Sequence, residues 1–163
     1  MMDELYLSIQ QEAGRMGKSG SVHIKKYIPE SFGDIDIMTD EVRLKQVMTN
    51  LINNALKFTD QGEIKFGYDV DLGKGLIRFF VSDTGIGISS ENQKNIFDRF
   101  KQTPEGAKSF YKGTGLGLAI SKGIVEILGG SVGLSSGEDL GTEFYFNLPL
   151  EPPKLTDAFN TIF

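Results

Sequence analysis

Residues 111–130, "YKGTGLGLAISKGIVEILGG", set three alternating glycines, Gly113, Gly115 and Gly117, against the start of an apolar run. Glycines that open a helix suit phosphates, because the helix N-terminus offers unpaired backbone N–H groups and glycine lets a ligand approach the chain. The spacing decides which fold surrounds the loop. A dinucleotide fingerprint, G-x-G-x-x-G, follows a strand directly, inside a βαβ unit with an acid about 20 residues on. Here the order is G-x-G-x-G, and the polar stretch "KQTPEGAKSFYK" at 101–112 precedes it. A protein-kinase glycine loop would need His-Arg-Asp and Asp-Phe-Gly downstream, and neither occurs. "GRMGKS" at 14–19 is no Walker loop, since Gly14 lies only three residues before Gly17 and follows a helical pattern.

Working outward, the apolar spacing after Gly115 predicts a helix from about Leu116 to Leu128. Two strands forming a hairpin follow, "GSVGLSS" and "TEFYFNLP", the second with Phe144, Phe146 and Leu148 on one face. Upstream, "IKFGYDV" at 64–70 alternates and turns at "DLGKG" into "LIRFFVSD", a second antiparallel pair. A short helix is expected over about 90–100, ending in "IFDRF". A long helix, capped by Thr39 or Asp40, runs to about Phe58 with Leu44, Val47, Met48, Leu51, Ile52, Ala55 and Leu56 on its apolar side. Before it come a first helix over Asp3–Met16, read as fraying at Gly14 and Gly17, and a strand at Val22–Pro29. The order is helix, strand, helix, two strands, two helices, two strands. It predicts a two-layer α/β (α+β) sandwich, a mixed, mostly antiparallel sheet of about five strands with about three helices on one face.

Bulk properties narrow the partners. The chain has 163 residues and a net charge of −5, which argues against a nucleic-acid surface built from massed lysine and arginine. The absence of cysteine excludes disulfides, thiolate metal sites and thiol nucleophiles. No apolar run approaches the ~20 residues of a membrane span, and no signal-peptide pattern opens the chain, so no direct membrane contact is expected.

Three further features bear chemistry. "NLINNALKF" at 50–58 places Asn50, Asn54 and Lys57 on one helix face at the border of the apolar stripe, where a polar edge is the plainer reading. In "SDTGIGI", Asp83 shares the face of Ile77, Phe79 and Val81, so its carboxylate points toward the core, which is costly unless a donor meets it. Capping of the next turn is the alternative reading. "IFDRF" brings Ile96, Phe97 and Phe100, residues that otherwise read as core.

Taken in order, N-x-x-x-N-A-x-K-F, D-x-G-x-G, F-x-x-F, G-x-G-x-G and "GTEF" at 141–144 resemble the ATP-binding catalytic domain of two-component sensor histidine kinases. That family lies in the superfamily of gyrase, Hsp90 and MutL, and the match covers about Thr39 to Pro149. The resemblance implies a Bergerat-type fold, with residues 1–20 an N-terminal helix or linker, 21–150 the catalytic domain and 151–163 a tail or interdomain linker. It implies Asn54 as ligand of Mg2+, Asn50 as its polar support and Lys57 as phosphate contact, the three forming the catalytic set. Phe58 is implied beside the adenine of ATP, with Asp83 accepting the adenine amino hydrogen, Thr142 a hydroxyl behind it, and Gly85, Gly87 and Ile88 lining its loop. Arg99, Phe100, Gly113, Thr114, Gly115, Leu116, Gly117 and Leu118 complete the implied nucleotide site, around a mobile lid spanning Lys101 to Lys112.

The resemblance further implies transfer of the γ-phosphoryl group to a histidine. The superfamily's hydrolases carry a Glu where this chain has Asn50, which cannot serve as a general base. The only histidine, His23, lies on a strand without the acid that follows the family's phosphoacceptor. The acceptor is therefore expected on a separate dimerisation and phosphoacceptor domain, with a response regulator or receiver domain downstream. The setting implied is cytoplasmic, and a membrane-anchored parent is compatible with it. A nucleotide-sensing module without transfer activity, an anti-sigma-type serine kinase and a gyrase- or Hsp90-type ATPase are the alternatives.

Overall fold

The computed structural model describes residues 1–32, 37–99 and 115–151. Its helices are α1 (Met2–Arg15), α2 (Glu41–Phe58), α3 (Ser90–Gln93) and α4 (Gly117–Ile127), with a 3-10 turn at Glu30–Phe32. Its strands are β1 (Val22–Tyr27), β2 (Gly62–Asp71), β3 (Leu76–Asp83), β4 (Ser131–Gly137) and β5 (Gly141–Pro149). One five-stranded sheet runs β1-β2-β3-β5-β4. Only the β1–β2 pair is parallel, so the mixed, mostly antiparallel α/β sandwich expected from the sequence is found.

Alternation builds the core. Ile64, Phe66 and Tyr68 of β2, Ile77, Phe79 and Val81 of β3, and Phe144, Phe146 and Leu148 of β5 are buried in one cluster with Leu5 and Ile9 of α1, the apolar stripe of α2, and Ile124 and Val125 of α4. Phe79 stacks on Phe146 at 5.1 Å between ring centroids. Phe80 points the opposite way, where Tyr27 and Lys65 cover it on the outer face. With Leu5, Ile9 and Ala13 almost fully buried, α1 belongs to the same core as the rest of the domain.

Helix ends explain two departures from expectation. At the start of α2, Asp40 is the cap: its carboxylate accepts the Arg43 backbone N–H at 3.0 Å and the Arg43 Nε–H at 3.1 Å. α1 does not fray at its glycines. Gly17 adopts φ +70°, and the Lys18 N–H donates back to the Ala13 carbonyl at 2.8 Å, closing the helix in a Schellman-type turn. The helix expected over 90–100 is regular only over Ser90–Gln93. Beyond it the bonds Asn95 N–H to Asn92 O and Asp98 N–H to Asn95 O span three residues, a tighter winding suited to short polar side chains that compete with helix bonding.

Candidate nucleotide site

Asp83 closes β3 on the inward face, as alternation requires, and only 8% of its surface is exposed. Among the described residues it and Lys18 are the only buried charged side chains, and Asp83 has no ionic partner there. Burial therefore pushes its carboxyl above the ordinary value of 3.8, while the backbone N–H groups of Gly85 and Thr142 pull back toward the ionised form. The Gly85 N–H donates to Oδ1 at 2.8 Å. The buried Thr59 hydroxyl faces the same carboxylate and also favours its ionised form, without completing a hydrogen bond of normal geometry. Capping the turn and facing the core thus prove to be one arrangement. The result is a buried carboxyl whose burial favours the neutral form and whose backbone donors favour the ionised one.

The loop after Asp83 is packed so tightly that side chains would not fit. A Cβ on Gly85 would overlap the Phe58 carbonyl oxygen, and one on Gly87, at φ +71°, would overlap the Gly137 carbonyl oxygen. The loop is tied down on both sides: Ile86 N–H donates to Phe58 O at 3.4 Å, and Asp139 N–H donates to Ile86 O at 2.9 Å. Ile88 N–H donates to the Ser136 hydroxyl at 2.9 Å, and Gln93 Nε2 bridges Ile88 O at 2.7 Å and Ser136 O at 3.0 Å. Across the sheet Thr142 pairs with both Asp83 and Ser136, and its hydroxyl lies 2.8 Å from that of Ser136. Phe97 meets Phe144 edge-on at 6.0 Å, so this member of the F-x-x-F pair packs on the core.

The polar edge of α2 faces α4. Asn50 Nδ2 donates to the buried Ser121 hydroxyl at 2.7 Å, and a Cβ on Gly117 would overlap Asn50 Oδ1. Gly117 is therefore glycine because two helices meet there. Gly115, at φ +70°, turns the chain into the N-terminus of α4 just before Leu116. Asn54 is half-buried one turn after Asn50. Lys57 lies over the Phe58 ring at 4.9 Å, and partial burial lowers its pKa. Phe58 is itself half-buried at the last helical position.

The structure thus joins Phe58, Asp83, Gly85, Gly87, Ile88 and Thr142 around one loop, and Asn50 and Gly117 across the α2–α4 contact. Leu118 is half-buried on α4, whereas Arg99 is exposed. Phe100, Gly113, Thr114 and the lid Lys101–Lys112 lie outside the described residues. Sequence reasoning missed Thr59, Gln93, Ser121 and Ser136. Thr59 directly follows Phe58 at the helix cap and was within reach; Ser136 depends on strand register, which spacing alone does not set.

Comparison with known proteins agrees with this geometry. The family model for histidine kinase-, DNA gyrase B- and HSP90-like ATPases matches residues 39–152. The sensor histidine kinase AruS of Pseudomonas aeruginosa is 43% identical over 118 residues, covering 71% of this chain and 12% of its own length. The autoinducer 2 sensor kinase/phosphatase LuxQ of Vibrio vulnificus is 36% identical over 154 residues, covering 92% of this chain and 17% of LuxQ. The chain thus spans less than a fifth of either relative. Full-length ShkA, solved in complex with AMPPNP, superposes with a TM-score of 0.72 at 29% identity over 93% of this chain and 30% of its own. A buried acceptor at Asp83, glycines that hold its loop closed, and a polar α2 edge lie within the matched region, and the chain belongs to the family of histidine kinase-, DNA gyrase B- and HSP90-like ATPases, as an ATP-binding domain of the kind histidine kinases carry.

Proposed function

We propose that the domain binds Mg-ATP and donates the γ-phosphoryl group to a histidine on a separate dimerisation and phosphoacceptor domain, in two-component signalling with a response regulator or receiver domain downstream. The observation that carries the reading is Asp83, a buried carboxylate kept ionisable by backbone donors and lacking an ionic partner among the described residues. The adenine amino group supplies the donor this acceptor lacks. A charge-assisted hydrogen bond of that kind contributes about 1.5–3 kcal/mol, roughly ten- to a hundredfold in affinity.

Asn54, half-buried on the polar edge of α2, offers a neutral oxygen of the type a hard cation takes when phosphates balance its charge. Among the described residues no three acidic, histidine or cysteine side chains cluster to cage a metal, so Mg2+ held here would draw its other ligands from phosphate and water. Lys57, three residues on along the same face, supplies the cation this reading assigns to a phosphate. Asn50 is committed to Ser121 and brings no basic group, so water activation has no base at that position. Transfer then rests on positioning and electrostatics.

Titration calorimetry with Mg-ATP tests the nucleotide site. Native protein is expected to bind, and Asp83→Ala is expected to lose ten- to a hundredfold in affinity; equal affinity in a folded Asp83→Ala protein would remove Asp83 from the site.

A further inference from the structure

The second buried charge, Lys18, lies in the turn between α1 and β1, before the family-matched region begins at residue 39. Only 6% of its surface is exposed, yet its Nζ reaches the far end of α2, donating to Leu56 O at 2.7 Å and Thr59 O at 2.9 Å. The Asp60 carboxylate, 92% exposed, adds an ion pair at 3.0 Å. The last carbonyls of a helix have no partner within it and carry the negative end of its dipole. A buried ammonium bridging two of them closes that end.

The turn that supplies Lys18 is itself held on both sides. Lys18 N–H donates to Ala13 O at 2.8 Å, its carbonyl accepts Val22 N–H at 2.9 Å, and the Ser21 hydroxyl donates to Asp60 O at 2.8 Å. Gly62 N–H adds a bond to Ser21 O at 2.9 Å. The α1–β1 turn therefore grips the whole α2–β2 turn. What it grips is the segment that delivers the site: Lys57 and Phe58 on the last turn, Thr59 beside Asp83, and the Phe58 carbonyl that receives the Ile86 N–H of the adenine-side loop.

We infer that Lys18 is a positioning residue for the nucleotide site, its buried ammonium fixing the C-terminal turn of α2 so that Lys57, Phe58 and Thr59 stand in binding register with Asp83. This rests on the nucleotide reading of that site. Neutralising Lys18 leaves two buried carbonyls without a donor, and the turn is free to re-wind toward water at the expense of the ligand contacts.

The test is calorimetric titration of native, Lys18→Met and Lys18→Arg protein with Mg-ATP well below their melting temperatures, paired with amide hydrogen exchange. Lys18→Met is expected to weaken ATP about tenfold and to speed exchange at residues 56–60 and 86 more than in the β3–β5 core, with Lys18→Arg recovering much of both. If Lys18→Met does not fold, Lys18→Gln takes its place, one atom too short to reach both carbonyls. Native-like affinity in the folded Met or Gln variant overturns the inference, as does a loss that tracks uniform destabilisation with unchanged relative exchange. Failure of native protein to bind ATP would instead sink the nucleotide reading itself.

Discussion

At Asp83 one carboxylate carries opposing demands. Burial raises its pKa above 3.8, so in the empty domain the ionised group costs stability at neutral pH. Because the folded state binds its proton more tightly than the unfolded chain, the unfolding free energy of native protein minus that of Asp83→Asn should fall as pH rises from 3.8 through the raised value. Denaturant titrations across that window read the slope directly. ATP affinity should run the other way, weakening as pH drops through the raised pKa, because only the ionised form accepts at both oxygens. Asp83→Asn should keep the fold yet lose ATP: its single carbonyl oxygen is needed by the Gly85 and Thr142 N–H groups, leaving an amide donor facing the adenine amino group. A pH-independent affinity in calorimetry would exclude Asp83 as the acceptor.

At the scale of elements, alternation and helical spacing placed all five strands, the apolar stripe of α2 and the inward face of Asp83, because those depend on local pattern. What spacing did not reveal were bonds between elements distant in sequence: Asn50 to Ser121, Ser136 to Ile88, Lys18 to Leu56. Each needs the register or crossing of two elements, which no single stretch encodes. The glycines divide in the same way. Gly87→Ala, at φ +71° and against the Gly137 carbonyl, should cost at least ~1–3 kcal/mol, seen as a fall in melting temperature of several degrees. Gly20→Ala, with nothing within 4 Å, should stay within about ±0.5 kcal/mol. For the α2–α4 contact, a double-mutant cycle of Asn50→Ala and Ser121→Ala should show a coupling of roughly 0.5–3 kcal/mol in denaturant unfolding; additive effects would mean that the 2.7 Å bond does not join the helices energetically.

Viewed as a whole, the molecule carries its single histidine on β1 and the candidate site residue Asp83 on β3. His23 is exposed on edge strand β1, where it lines a cleft of about 600 Å³ with Tyr6, Gln10 and Ser19, none of them among the site residues. In the sheet, β2 lies between the strand of His23 and the strand that ends at Asp83. The most direct measurement is incubation of the protein with ATP labelled at the γ-phosphate, alone and with a separately expressed dimerisation and phosphoacceptor domain. Label on the histidine of the added domain, none on this chain, and loss of transfer in Asp83→Ala is the expected result. Label on this chain that vanishes in His23→Ala, or transfer undiminished in Asp83→Ala, would contradict it.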